Sequence, residues 1–146
     1  MKTKLFIIIG LLISAASVRA ENCPLLSDAY NQSYAISALG WQFRNNAKMG
    51  ADMFAINQAA YPLAQQILYV DMPGCYLPPP TQIPSVKTVC QALHAIAGVY
   101  PAGELAALTN DVLKFSHHSG DRGTVEGLLN SLNYAVEQAV KDANCR

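Results

Sequence analysis

Residues 75–90, CYLPPPTQIPSVKTVC, hold four of the chain's eight prolines, and no helix can pass through Pro78, Pro79, Pro80 and Pro84. Each proline lacks the N–H that an i→i−4 bond needs, and each pushes the residue before it out of the helical region. Apolar spacing on both sides is helical, so the chain must fold as two helical stretches around a central irregular connection. A cysteine stands at each edge of that connection, Cys75 and Cys90.

Residues 1–20 read as a secretory signal peptide. Lys2 and Lys4 form its basic start, Leu5 to Ile13 its apolar centre, and the small residues ending at Ala20 its cleavage site. The apolar run falls short of the roughly 20 residues that a membrane span requires. Residues 21–146 are then a single exported domain, secreted or periplasmic. Lys2, Lys4 and Arg19 leave with the signal, which turns a formally neutral chain into one of net charge −3. The remaining basic residues are scattered, which argues against a nucleic-acid footprint or a polybasic membrane surface.

Export to an oxidising compartment makes an even set of cysteines a disulfide framework. The four are Cys23, Cys75, Cys90 and Cys145. Three pairings are possible. Proximity in sequence favours Cys75 with Cys90, closing the proline segment, and leaves Cys23 with Cys145 to tie the chain ends. No CxxC is present, which disfavours thiol redox chemistry.

Helical periodicity accounts for most of the rest. Pro24 to about Met49 carries Leu26, Tyr30, Tyr34, Ile36, Leu39, Phe43 and Ala47 at three- and four-residue steps. Gly50 ends that helix, and a second runs from Ala51 to about Val70, with Pro62 as a kink or restart. Ser85 is placed to cap a third, carrying Val86, Val89, Leu93, Ile96 and Ala97 and stopping at Tyr100. Pro101 opens a fourth, which ends at His117-His118-Ser119-Gly120 with Gly120 as its left-handed cap. The last starts at Asp121 or Thr124 and has the broadest apolar stripe, from Val125 to Ala143. The expected fold is an all-α, disulfide-stapled bundle of four or five helices with a Pro-rich connecting loop.

Several groups of residues could carry function. Tyr76, Leu77, Pro78, Pro79 and Pro80 would form a stiff recognition surface that loses little entropy on binding, although prolines also crowd ordinary connectors. His117, His118, Asp121 and Arg122 could make a polar, metal or anion site. Adjacent histidines on a helix point about 100° apart, however, and need a third ligand such as His94. Histidines near a helix C-terminus also simply complement its dipole. Tyr30, Tyr34, Trp41, Phe43, Phe54 and Tyr61 could line a pocket for an apolar ligand or belong to the core. No GxSxG, HExxH, P-loop, GxGxxG, CxxCH or EF-hand loop is present, and the acids are spread along the chain without a recognisable catalytic pair. The expectation is a small non-catalytic binding protein, without a cofactor, that acts on another protein as an inhibitor, immunity factor or adaptor. A carrier of a small hydrophobic ligand is the alternative, and a metal-binding protein the third.

Overall fold

Four stretches become helix in the computed structural model, which describes residues 23–71, 75, 82–99 and 119–145. Helix α1 spans residues 23–42, α2 Gly50–Gln66, α3 Val89–Val99 and α4 Ser119–Ala143, and a π-helical turn, Ile67–Asp71, continues α2. No strand occurs among the described residues, and the fold is the all-α, disulfide-stapled bundle that the periodicity predicts. The helix expected after Pro101 lies outside the described residues.

Local chemistry sets the helix ends, at places that differ from expectation. Helix α1 stops at residue 42 rather than near Met49. Tight turns follow, with Arg44 N–H donating to the Trp41 carbonyl (3.3 Å) and Asn46 N–H to that of Phe43 (3.0 Å). Asn46 then launches α2, its Oδ1 accepting from the N–H groups of Lys48 (3.1 Å) and Met49 (2.9 Å). This is the local side-chain bonding that makes asparagine a turn former. Gly50 starts α2 instead of ending α1. A Cβ there would lie 2.5 Å from the Arg44 carbonyl oxygen, so the turn can fold back this closely only on glycine.

Helix α3 is capped by Thr88, not Ser85. Thr88 Oγ1 accepts from the Gln91 N–H (3.1 Å), and Gln91 Oε1 reaches back to the Lys87 N–H (2.8 Å). This is a variant of the Ser/Thr-x-x-Glu/Gln box, in which the glutamine serves the residue before the cap. Ser119 and Gly120 open α4, so Gly120 is part of a helix start and not the left-handed cap of a preceding one. The left-handed residue is at the other end of α4, where Asn144 has φ 48° and releases the chain toward Cys145.

Helices α1 and α2 form an antiparallel hairpin whose closeness depends on Gly40. A Cβ at Gly40 would stand 2.6 Å from the Met53 carbonyl oxygen and 2.8 Å from the Asn57 nitrogen. The α1 surface turned inward is a ridge of small residues, Ala29, Ser33, Ser37 and Gly40, alternating with Leu26, Ile36 and Leu39. The Ser33 hydroxyl satisfies itself by donating to the Ala29 carbonyl (2.7 Å). Helix α2 packs along α4, and α3 lies against α4 as well. Met53, Ile56, Leu63, Ile67, Ile96, Val125 and Leu132 fill the centre, and Ala60, Ala64, Ala92 and Ala139 let the helices approach.

The disulfides join Cys23 to Cys75 and Cys90 to Cys145, and not the pairs that proximity in sequence favoured. Cys23 begins α1, while Gln42 at its far end donates from Nε2 to the Val86 carbonyl (2.9 Å), just ahead of α3. Nineteen helical steps of about 1.5 Å separate those ends by roughly 28 Å. Cys75 therefore sits at one end of the bundle and Cys90 at the other. A segment of about 15 residues can span up to roughly 50 Å, so closeness in sequence placed no limit on this separation. Two cystines and no free cysteine suit an oxidising environment, extracellular or periplasmic. No helix among the described residues is long and apolar enough to cross a membrane.

Candidate functional site

The outward face of α2 carries residues at helical spacing, Ala51, Phe54, Ala55, Gln58 and Tyr61, with α1 on one side and α4 on the other. Pro62 cannot donate to the Gln58 carbonyl, which loses its intrahelical partner at the middle of this face. Two depressions flank it and meet at Gln58.

The larger depression is an open groove of about 990 Å³ between α2 and α4. Its floor is alanine, Ala51, Ala55, Ala59 and Ala135, and the small side chains make it deep. Phe54, Leu128 and Tyr134 form its walls. Phe54 and Tyr134 are 41% and 65% exposed, so their rings face solvent instead of the core. Asp52, from the first turn of α2, and Asp142, from the last turn of α4, close one end. Burial pushes the Asp52 carboxyl above the usual aspartate value, and a hydrogen bond with Asp142 and that residue's negative charge raise it further. The pair can share one proton or receive a cation from a visiting group.

The smaller depression is a pocket of about 390 Å³ between α1 and α2. Tyr34, Trp41 and Tyr61 are its aromatic walls, Ala38 is the gap between them, and Ser37, Asn57 and Gln58 supply polar groups. Asn57 is 8% and Ser37 4% exposed. Asn57 Nδ2 donates to the Ser37 carbonyl (3.0 Å) and to the Ser37 hydroxyl oxygen (2.9 Å). Both amide hydrogens are thereby used. The Asn57 amide oxygen accepts no bond and the Ser37 hydroxyl donates none among the described residues.

Neighbouring groups hold the aromatic walls. The Arg44 guanidinium carbon stands 3.8 Å from the centroid of the Trp41 ring, and Arg44 Nη1 donates to the Trp41 carbonyl (2.8 Å). Arg44 lies in a further depression that also borders Trp41, whereas no charged side chain lines the α1–α2 pocket among the described residues. Tyr30 and Tyr34 stack with centroids 6.1 Å apart. Burial raises the Tyr30 phenol above its usual value, and the phenols of Tyr34, Tyr69 and Tyr61 add to the shift, so the four tyrosines form one cluster.

Of the six aromatic residues singled out in the sequence, Tyr34, Trp41, Phe54 and Tyr61 are exposed, and Tyr30 and Phe43 are half-buried. The four exposed ones border open depressions instead of enclosing a cavity among the described residues. Tyr76, Leu77, Pro78, Pro79 and Pro80 lie outside the described residues, as do His117 and His118. Asp121 and Arg122 fall in the first turn of α4, with side chains outside the described set. Residues that sequence reasoning passed over include Asn57, Ser37 and the Asp52–Asp142 pair. Asn57 reads as an ordinary polar helix position, and the two aspartates are far apart in the chain. The small-residue ridge ending at Gly40 was the one available signal that α2 comes close enough to bury Asn57.

Together these features define the class: a disulfide-stapled helical bundle with an aromatic-lined, largely uncharged face. No protein-family model matches the chain, and neither a curated protein nor a solved structure shows significant similarity to it.

Proposed function

We propose that the chain is an exported, non-catalytic binding protein that docks another protein in the groove between α2 and α4. The observation that carries this reading is the groove itself, with an alanine floor and exposed Phe54 and Tyr134 on its walls. Exposed aromatic rings beside an open apolar trough supply contact area at low entropic cost and are the residues that dominate protein interfaces. From Ala51 to Ala59 the floor is roughly 12 Å long, enough for about two turns of a partner helix laid apolar face down. The Asp52–Asp142 end suits a basic residue of that partner, in keeping with a chain that is net acidic once the signal is removed. A hydrophobic carrier fits less well, because the depressions are open to solvent instead of engulfing a ligand.

The test is affinity capture from the organism's own envelope or surroundings, with a Phe54→Asp/Tyr134→Asp variant as the comparison. Both side chains are exposed, so the variant should melt as the wild type does. The wild type is expected to retain a discrete protein that the variant releases. Capture of the same proteins by both, or of none by the wild type, refutes the proposal.

A further inference from the structure

The pocket between α1 and α2 differs chemically from the groove beside it. Among the described residues it is neutral, three-sided in aromatic rings, and has at its base a buried acceptor and a buried donor that are left unused. A buried polar group without a partner costs stability, so an asparagine oxygen and a serine hydroxyl left open together call for an explanation. Water can occupy such a pair. A ligand that displaces it must bring both a donor and an acceptor, close together and pointing the same way.

A secondary amide does not meet that requirement, because its N–H and C=O point in opposite directions. A charged ligand would find no counter-charge on the walls. An aliphatic chain would leave the Asn57 oxygen and the Ser37 hydroxyl unsatisfied. The vicinal diol of a sugar ring meets every condition: two adjacent hydroxyls, one donating to Asn57 Oδ1 and the other accepting from Ser37 Oγ. Its C–H faces, slightly electropositive and apolar, fit against the electron-rich faces of Trp41, Tyr34 and Tyr61. About 390 Å³ accommodates one ring and part of the next. Arg44 fixes the Trp41 ring from the neighbouring depression, and Gly40 holds α1 against α2, so both the walls and the polar pair are in place before a ligand arrives.

We propose that the α1–α2 pocket is a subsite for one neutral sugar ring of a glycan, held by a vicinal diol on Asn57 and Ser37 and stacked between Trp41, Tyr34 and Tyr61. This does not rest on the protein-docking reading of the α2–α4 groove, and either can fail without the other. Cellotetraose is the probe, because each internal ring has a free C2–C3 diol. Chitotetraose is the comparison, because an acetamido group replaces the C2 hydroxyl and removes that diol from its internal rings.

Titration of the isotope-labelled full chain is followed by NMR, with the indole N–H of Trp41, the single tryptophan, and the Gln58 side-chain amide as reporters. Cellotetraose should shift both saturably, and chitotetraose should bind more weakly. Tyr61→Ala, at a half-exposed position, should weaken cellotetraose binding about tenfold. Ser37→Ala keeps the Asn57 bond to the backbone carbonyl and should weaken it about fivefold. A folded wild type that responds to neither sugar overturns the assignment. So does a response unchanged by Tyr61→Ala, or chitotetraose binding as tightly as cellotetraose. A Trp41 response to a captured protein partner but to no sugar overturns it as well, and leaves the docking proposal standing.

Discussion

Replacing Gly40 by alanine should separate α1 from α2, and the sign of the effect tests whether they touch. In an exposed helix interior glycine to alanine gains about 1 kcal/mol, because alanine loses less backbone entropy. At Gly40 the new Cβ would stand 2.6 Å from the Met53 carbonyl oxygen and 2.8 Å from the Asn57 nitrogen, where ordinary contact begins at 3.4 Å. Both neighbours are backbone atoms that no rotamer change can move aside. The helices must part by most of an ångström, an overpacking strain of about 1–3 kcal/mol. The same displacement stretches the 2.9 and 3.0 Å bonds from Asn57 to Ser37 beyond hydrogen-bond range. Two buried polar groups then lose their partners, at a further cost of about 1–3 kcal/mol. The net loss is about 3 kcal/mol, or roughly 10 °C in Tm for a chain of this size. Gly127→Ala is the internal control, since nothing lies within 4 Å of a Cβ there, and it should gain up to about 1 kcal/mol. Thermal and urea melts by circular dichroism measure both. A Gly40→Ala protein that melts above wild type, as the control should, would refute the close contact.

Peptide mapping without reductant should recover Cys23 joined to Cys75 and Cys90 to Cys145. Their separations of 52 and 55 residues make each bond worth about 4 kcal/mol on the loop-entropy model, so removing either should lower the melting point sharply. Asp142→Asn should stabilise the protein at neutral pH by less than about 1 kcal/mol, because it removes a charge from the wrong end of the α4 dipole and from beside Asp52. Asp52 titrates above its usual 3.8, so the stability its neutral form contributes is full below that value and is lost as pH rises through the folded one. The advantage of Asp142→Asn should therefore vanish in acid, and melts at neutral and acidic pH that differ by a constant amount would contradict this. Asn46→Ala, which strips the acceptor from the Lys48 and Met49 N–H groups, should cost about 1 kcal/mol in a denaturant melt.

The helices were legible because their signals are local. Val125, Leu129, Leu132 and Ala139 of the stripe in α4 are buried as its spacing predicts, while Leu128, Val136 and Ala143 are half-buried and Val140 is exposed. Pro62 lies inside α2 with the π-helical turn shortly after it. What could not be read depends on two helices meeting. Tyr34 sits at an apolar-periodic position, yet Ala29, Ser33, Ser37 and Gly40 proved to be the contact ridge of α1, which turned the larger ring outward. The pairing of Asp52 with Asp142 follows from the antiparallel register of α2 and α4, which no residue within either helix encodes. The cysteine pairing failed for the same reason. It is decided by which helix ends share an end of the bundle, and a short sequence interval says nothing about that.

The two cystines also fix the covalent topology of the chain. Cys23–Cys75 closes before Cys90–Cys145 opens, so the backbone forms two consecutive macrocycles, neither nested nor interlocked. One carries α1 and α2, the other α3 and α4, and residues 76–89 belong to neither. A backbone cut inside either macrocycle leaves one molecule, whereas a cut between 76 and 89 yields two, associated through non-covalent packing that includes the α2–α4 seam. As the chain emerges from its N-terminus, the first macrocycle has both its cysteines before Cys90 appears, so order of synthesis by itself favours the native pairs. The proline segment is thus the single covalent thread between two separately closed halves.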